Sequence, residues 1–221
     1  MTRIAVVGGH GQIARRLHPM LLGAGHQPVA LIRRREQADD LEASGVETRM
    51  LDIENHIADR FAAAFEGCEA VVFAAGGGPD GDIERKRSVD LEGSLKSVEG
   101  ARQAGIRRFV QISAIRVDEP LPDHVEPVWR AYVEAKRDAD AALRDSGLDW
   151  TILRPGRLTD DPGTGRVALG PDVGRGRIPR ADVAEVVVAV LDAPATAGRQ
   201  WNVVGGDVAI RDAIGAHLQP R

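Results

Sequence analysis

The chain contains few cysteines, aromatic residues and lysines. Cys68 is the one cysteine among 221 residues, which excludes an intrachain disulfide and any cysteine cluster for zinc or iron–sulfur. We therefore expect a protein of the reducing cytoplasm. Aromatic residues make up only 4% of the chain, so aliphatic side chains must form most of the core. The chain has three lysines and 26 arginines. Because lysine is rare here, the position of each lysine is informative about function.

Long apolar runs and a strong net charge are also absent. No run approaches the roughly 20 apolar residues that a membrane-spanning helix needs, and the N-terminus has no signal-peptide pattern. The net charge of −4 gives no electrostatic reason to expect nucleic acid or an anionic membrane as a partner. We expect a small-molecule substrate, no metal, and a monomer or a homodimer.

Short β-branched segments alternate with segments of helical period over the first two-thirds of the chain. This alternation predicts an α/β fold with a parallel, doubly wound sheet. The predicted strands are 3–7, 28–32, 46–51, 70–75, 108–112 and 150–154, and the predicted helices are one that contains Ile13, Leu17 and Leu21 and others at about 37–43, 57–65, 83–104 and 129–145.

The composition changes after residue 154. Residues 155–179 are rich in proline and glycine, which predicts an irregular lobe with a short strand at 167–169. A helix at about 181–191, a strand at 200–204 and a terminal helix at 208–217 follow. We predict one domain over 1–221, with 155–221 as a small lobe on the substrate side.

A glycine-rich segment directly after the first strand predicts a nucleotide site. Gly9, Gly11 and Ala14 match the dinucleotide fingerprint, and Gly8, Gly11 and Ala14 match its wider-spaced variant. Such a loop lets a pyrophosphate approach the backbone, and the N-terminus of the next helix supplies free N–H donors. The predicted cofactor contacts here are Gly8, Gly9, Gly11, Gln12 and Ile13. The alternative is a plain strand–helix turn.

The end of the second strand predicts which nucleotide binds. An NAD site usually has an acidic residue here for the ribose 2′-hydroxyl, but this strand ends in Arg33, Arg34 and Arg35, before the first acid, Glu36. Guanidinium groups suit a 2′-phosphate. The sequence therefore favours NADP(H) over NAD(H), with Arg33 and Arg34 as contacts. The alternative is a solvated, basic helix start.

The ends of the third and fourth strands complete the predicted cofactor site. Asp52 follows the third strand, where it could meet the adenine, although it could equally cap the next turn. Ala74, Ala75 and Gly76 follow the fourth strand, where small residues would let the chain pass close to the cofactor.

Tyr132 and Lys136 form a candidate catalytic pair. Tyr132 is the only tyrosine, and Lys136 follows four residues later in a predicted helix, which puts both on one face. A phenol with a pKa near 10 is a poor catalyst at neutral pH, and a nearby ammonium lowers that pKa. Ser113, at the end of the fifth strand, could orient a substrate oxygen. The alternative is a half-buried tyrosine beside a lysine that extends to solvent.

These segments together resemble the short-chain dehydrogenase/reductase superfamily, and more narrowly its atypical NAD(P)H-binding group, which includes NmrA-like proteins and biliverdin reductase B. The segments that carry the resemblance are 7–14, 132–136, 151–156, 161–166 and 178–184. The resemblance implies a Rossmann fold, NADP(H), and Ser113, Tyr132 and Lys136 in the catalytic positions. It also implies that Lys136 holds the nicotinamide ribose and that Pro155 borders the nicotinamide.

The chain departs from the superfamily pattern in two places. His10 stands in the glycine loop where a small or hydroxyl residue is usual. The predicted helix 83–104 has no asparagine, so the fourth member of the superfamily's tetrad is missing. We expect an NADPH-dependent reductase of a small carbonyl-containing or conjugated molecule. The alternatives are an NADP(H)-binding redox sensor without turnover and an epimerase or dehydratase.

Overall fold

A computed structural model describes residues 1–78 and 81–218. Its strands are β1 (Arg3–Val7), β2 (Gln27–Ile32), β3 (Glu47–Met50), β4 (Ala70–Phe73), β5 (Arg108–Ile112), β6 (Asp149–Pro155), β7 (Arg157–Thr159), β8 (Arg166–Gly170), β9 (Arg177–Pro179), β10 (Arg199–Gly205) and β11 (Val208–Ala209). Its α-helices are α1 (Ala14–Gly23), α2 (Asp39–Ala43), α3 (Ala58–Ala64), α4 (Ile83–Arg85), α5 (Gly93–Gln103), α6 (Pro127–Arg144), α7 (Arg180–Leu191) and α8 (Ile210–Ala216).

Within the described residues, the main sheet has nine strands in the order β11-β8-β10-β6-β5-β4-β1-β2-β3. All pairings from β3 to β10 are parallel. The strand order reverses at β1, between β2 and β4, which is the arrangement of a doubly wound nucleotide-binding sheet. The predicted Rossmann-type α/β fold is confirmed.

Aliphatic side chains on both faces of the sheet hold the helices in place. On one face, Leu17 of α1 and Val187 of α7 pack in a cluster with residues of β1, β4 and β5. On the other face, Phe61 of α3 and Leu143 of α6 pack in a second cluster. Because helices cover both faces of the sheet, a ligand can reach it at the ends of the strands. In doubly wound sheets the ligand binds at the carboxyl ends.

The segment 155–179 is more regular than its composition predicts. It contains β7, β8 and β9, and β8 joins the main sheet by antiparallel pairing with β10. Val167 and Leu169 of β8 are buried in the main core, and that burial outweighs the proline and glycine content. The predicted terminal helix begins two residues late, at Ile210, because 208–209 pair with β8 instead.

The predicted helix 83–104 is interrupted by a π-helical segment. Residues Lys86–Glu92 form this segment between α4 and α5. A π-helical turn contains an extra residue and changes which side chains face inward, and such turns are frequent at functional sites. Here the turn brings Asp90 to face α6 across a buried contact.

None of the helices in residues 1–78 and 81–218 combines the length and the apolar character needed to cross a bilayer.

Candidate nicotinamide-cofactor and catalytic site

The glycine loop fits tightly between the ends of β2 and β4. Gly8 has a φ of +77°, and a Cβ there would lie 2.8 Å from the Cα of Ala75. A Cβ on Gly9 would lie 2.7 Å from the Cβ of Ala30. The first two glycines are therefore required by the packing of the protein itself.

Gly11 has a different environment from the first two glycines. A Cβ at this position would meet only backbone oxygens, that of Gly8 at 3.0 Å and that of Ala74 at 3.8 Å. Space therefore remains beside Gly11 at the carboxyl edge of the sheet. A pyrophosphate could approach the backbone there, which is the role that the fingerprint gives to this glycine.

The N-terminus of α1 supplies free donors beside that space. The first bond of the helix runs from the Arg15 N–H to the Gly11 carbonyl. Within the described part of the chain, the backbone N–H groups of Gln12 and Ile13 have no acceptor. Free N–H groups and the positive end of the helix dipole suit a phosphate. The local structure therefore fits a dinucleotide.

His18 supports the loop from behind. It is buried, with 1% of its surface exposed, and its Nε2 donates to the Gly9 carbonyl at 2.7 Å. Because a carbonyl oxygen can only accept, the proton of the neutral ring lies on Nε2, and Nδ1 has no partner among the described residues. Burial lowers the pKa of His18, although the bond to Gly9 opposes that shift.

The arginines after β2 lie at an exposed corner of the sheet. Arg33 donates from Nη1 to Glu54 at 3.0 Å, and about half of its side chain is exposed. The backbone N–H groups of Arg33 and Arg34 both donate to the Gln37 side chain, which fixes the turn. Arg34 and Arg35 are exposed. A 2′-phosphate would therefore share Arg33 with Glu54 and could engage Arg34 directly.

Asp52 caps the turn after β3, as one of the two interpretations of the sequence predicts. Its carboxylate accepts from the backbone N–H of Glu54 at 3.0 Å and from the Asn55 side chain at 2.9 Å. Partial burial raises the pKa of Asp52, but these hydrogen bonds outweigh it and the net pKa is lowered. The adenine contact remains a prediction.

The loop after β4 connects the cofactor side to the central helix. The Ala74 N–H donates to the Val7 carbonyl at 3.0 Å. The Gly77 N–H donates to the Asp90 carboxylate at 2.9 Å. A Cβ on Gly76 would lie 3.2 Å from Asp90. The small residues of this loop therefore let the chain pass close to Asp90 as well as to the nucleotide space.

Tyr132 and Lys136 lie on one face of α6, as the spacing predicts. The Lys136 ammonium is 6.0 Å from the centre of the Tyr132 ring. It forms an ion pair with Asp90 at 3.0 Å and donates to the Ile112 carbonyl at 3.3 Å. Lys136 is buried, with 4% of its surface exposed. The alternative of a lysine that extends to solvent is therefore wrong.

Lys136 acts on the pKa of Tyr132 in the predicted direction, but burial and two carboxylates act against it. Burial raises the pKa of the phenol, the Lys136 ammonium lowers it, and the carboxylates of Asp90 and Asp140 raise it again. The net pKa lies above the ordinary value. The sequence shows neither the burial of the phenol nor the two nearby carboxylates, which together outweigh the lysine.

Ser113 belongs to a buried polar network. Its hydroxyl donates to Asp140 at 2.8 Å, and Gln111 donates to the same carboxylate at 2.7 Å. Arg154 donates from Nε to Asp140 at 2.8 Å and from Nη1 to Asp118 at 2.6 Å. In this arrangement the hydroxyl proton of Ser113 is donated to Asp140, and its contact with a substrate oxygen remains a prediction.

Pro155 lies at the end of β6, beside the end of β5. It is buried, and its carbonyl accepts from the Ile115 N–H at 3.1 Å. The glycine loop, the loop after β4, Ser113 and Pro155 all follow or end parallel strands of one sheet. They therefore share its carboxyl edge, which is where a doubly wound sheet binds its ligand.

Comparison with known proteins agrees with this geometry. A sequence model of NAD(P)H-binding proteins matches residues 8–194. The chain belongs to this NAD(P)H-binding family. The membership predicted from the motifs is confirmed, and so is binding of a nicotinamide cofactor as a family property.

Relatives differ in what they are named for. The chain is 37% identical to the Uncharacterized sugar epimerase YhfK of Bacillus subtilis over 213 residues, 96% of this chain and 98% of that protein. It is 30% identical to the (4-alkanoyl-5-oxo-2,5-dihydrofuran-3-yl)methyl phosphate reductase of Streptomyces griseus, over 91% of this chain and 67% of that one.

A solved structure from Bacillus halodurans, named provisionally as an NAD-dependent epimerase/dehydratase, has the same fold. It superimposes with a TM-score of 0.90 at 35% identity and covers 98% of this chain and 100% of its own. The family thus contains proteins named for oxidoreductase and for epimerase activities.

Sequence reasoning missed the acidic partners of the site. Asp90 and Asp140 are both fully buried, yet each looks like an ordinary acid of an exposed helix face. A signal existed for Asp90, because Asp90, Ser94, Ser97 and Ala101 follow one another at intervals of four, three and four residues, which a helix would place on one buried face. A carboxylate on such a face needs a cation nearby.

Proposed function

We propose that the protein is an NADPH-dependent reductase that transfers hydride to a small carbonyl-containing or conjugated substrate, with Tyr132 as the proton donor. The observation that carries this proposal is one shared edge of the sheet. The free N–H groups at the start of α1 follow the end of β1, and the buried Lys136 beside Tyr132 donates to the carbonyl of Ile112 at the end of β5. We propose that the reaction takes place in the cytoplasm.

The cofactor would be held by backbone groups at one end and by arginines at the other. Gln12 and Ile13 would donate their N–H groups to the pyrophosphate, and Arg33 and Arg34 would bind the 2′-phosphate. The bound cofactor would supply the hydride. The preference for NADPH is supported by exposed guanidinium groups after β2 in the place where an NAD site has a carboxylate.

The proton would come from Tyr132. Because its pKa is raised above the ordinary value, the phenol is protonated at neutral pH and can donate to an oxygen that gains negative charge. Trp129 lies one turn earlier on α6, with its ring 5.3 Å from that of Tyr132 and about half of its surface exposed. An exposed tryptophan beside the donor supports a substrate with a flat, apolar part.

Ser113 takes a different part in this proposal from the one that the superfamily pattern implies. Its hydroxyl bonds to Asp140 and keeps the end of β5 attached to α6. Ser113 would thus support the edge on which the substrate lies, and Tyr132 would be the donor to the substrate oxygen.

The Streptomyces griseus relative supports the reductase. Its name describes a reductase whose substrate carries a methyl phosphate together with alkanoyl and oxo groups, and the latter two are carbonyl functions of the class proposed here. The names of the Bacillus relatives favour a second candidate, an epimerase. An epimerase would return the hydride to its substrate and leave the cofactor unchanged after a full turnover.

Oxidation of NADPH against a panel of quinones, flavins, aldehydes and ketones tests the proposal. A reductase consumes one NADPH for each substrate molecule reduced. Tight NADPH binding with no consumption by any substrate would favour the sensor. Interconversion of sugar isomers without net consumption would favour the epimerase.

Tyr132→Phe tests the donor once a substrate is known. We expect turnover to fall about 100-fold, the usual scale for loss of a positioned acid, with NADPH affinity little changed because the ring remains. Trp150→Phe is the matched control, since Trp150 lies near the start of β6, at the opposite edge of the sheet, and should turn over normally. Full activity of Tyr132→Phe would leave a solvent proton as the source.

A further inference from the structure

Asp90 occupies a position that the reductase mechanism leaves unexplained. It lies on the π-helical segment and is fully buried. One carboxylate oxygen faces the Lys136 ammonium at 3.0 Å, and the other accepts from the Gly77 N–H at 2.9 Å. A single side chain therefore joins the central helix, the lysine of α6 and the loop after β4.

The charges around Tyr132 come from three elements. Lys136 and Asp140 lie on α6 with the tyrosine, and Asp90 faces it from the π-helical segment. Asp140 is already paired with Arg154 of β6. The Lys136 ammonium is thus the cation that acts on the phenol, and Asp90 is the anion in contact with that ammonium.

A buried cation in contact with a buried carboxylate exerts a much smaller field on a third group than the cation would alone. A lysine that is free of a carboxylate would favour the phenolate form of Tyr132. With Asp90 in place, the pair is neutral as a whole. The phenol then lies beside a dipole and in a buried environment that disfavours its charged form.

We propose that Asp90 is a positioning residue that neutralises the Lys136 ammonium and thereby makes the Tyr132 phenol hold its proton more tightly. The use of that proton in a reduction rests on the proposed function, whereas the electrostatic claim does not. The same carboxylate accepts from the Gly77 N–H and so connects the lysine to the loop after β4.

The chain offers an unusually clean way to test this proposal, because Tyr132 is its only tyrosine. The ultraviolet absorbance of the phenolate, followed during a pH titration of the apoprotein, reports this residue alone. In the parent protein we expect the midpoint above that of a free tyrosine. A midpoint below the free value would overturn the proposal without any variant.

Asp90→Asn is the informative variant. The amide oxygen can still accept the Gly77 N–H, so the loop contact is kept while the charge is lost. We expect the titration midpoint of Tyr132 to fall by about one pH unit or more, because the ammonium is then unopposed. A merely structural Asp90 would leave the midpoint where it is, or raise it.

Two controls separate charge from packing. Glu92→Gln removes the same charge two residues away on an exposed side chain and should not move the midpoint. Asp90→Asn combined with Lys136→Met removes both charges and should return the midpoint to the parent value or above. Asp90→Ser is the second neutral variant, with the same expected direction, for use if the asparagine variant folds poorly by circular dichroism.

The outcome is independent of turnover. A parent protein without reductase activity would refute the proposed function, yet the titration would still decide the role of Asp90. An unchanged midpoint in Asp90→Asn with intact fold would refute the role of Asp90, while reductase activity could persist.

Discussion

The charged side chains at the two ends of the proposed site differ in burial. At the proposed nucleotide end, which comprises the glycine loop and the turn after β2, the arginines are exposed. One of them, Arg33, pairs with the carboxylate of Glu54. At the catalytic end, Lys136 and Arg154 are almost completely buried, and each contacts a fully buried aspartate. Exposed charges can be changed at little cost to the fold, whereas buried pairs cannot. Cofactor choice and chemistry should therefore respond differently to mutation.

The sharpest test at the nucleotide end is Gly11→Val. A branched side chain would fill the space beside α1 that we propose for the pyrophosphate, so we expect loss of NADPH binding in a protein that still folds. Calorimetric titration with NADPH measures the binding, and circular dichroism measures the fold. Gly23→Val is the control, because a Cβ at the other end of α1 meets nothing within 4 Å.

Normal NADPH affinity in Gly11→Val would mean that the cofactor lies elsewhere. Loss of folding in this variant alone would mean that the contact with the Gly8 carbonyl, and not the ligand, requires glycine here.

Arg154→Met is the largest expected change in stability at the catalytic end. The substitution leaves the buried Asp140 without its cation, and we expect the free energy of unfolding to fall by about 3–5 kcal/mol. Urea denaturation measures the change. Arg107→Met removes an exposed arginine that pairs with Asp149 and should leave stability within error. Equal changes in the free energy of unfolding for the two substitutions would contradict the claim that buried charges contribute more to stability than exposed ones.

A double variant in which alanine replaces both Arg33 and Arg34 tests the role of the exposed arginines. We expect NADPH to bind the parent at least tenfold more tightly than NADH, about 1.4 kcal/mol. The double variant should lose that preference, bind NADH almost as before, and keep its stability. Titration of both cofactors against both proteins measures the preference. Equal affinities in the parent would refute the 2′-phosphate assignment.

His18 is the buried titratable group at the nucleotide end, and it gives the smallest effect. Its pKa is lowered by burial from the ordinary 6.5, so the unfolded chain takes up a proton before the folded protein does. Stability should therefore be complete above about pH 6.5 and should decrease as the pH falls through that value.

His18→Gln can still donate to the Gly9 carbonyl and should be less dependent on pH in this range. Urea denaturation of both proteins between mildly acidic and neutral pH measures the difference. An identical pH dependence in the two proteins would assign the acid sensitivity to other groups.

The sequence predicted the frame of the molecule well because the frame depends on local pattern. The strands at 3–7 and 108–112 match the structure, and the apolar run 4–7 in the first of them is covered on both faces. The glycine loop was found because its chemistry depends on neighbouring residues. The spacing of Tyr132 and Lys136 predicted one helix face for the same reason.

What the sequence did not predict depends on distant residues. Asp90, the partner of Lys136, lies on another helix. The π-helical turn that positions it was not predicted by any local sequence pattern. The bond between Ser113 and Asp140 likewise joins a strand to a helix much later in the chain. Strand β8 joined the sheet because β10 offered an edge, which the proline and glycine content of the segment could not reveal.

A crystal structure of the NADPH complex tests the central claim most directly. The account predicts the pyrophosphate at the N–H groups of Gln12 and Ile13, the 2′-phosphate at Arg33 and Arg34, and the nicotinamide between Pro155 and Tyr132. A nicotinamide that lies away from Tyr132, or a 2′-phosphate without an arginine contact, would contradict it.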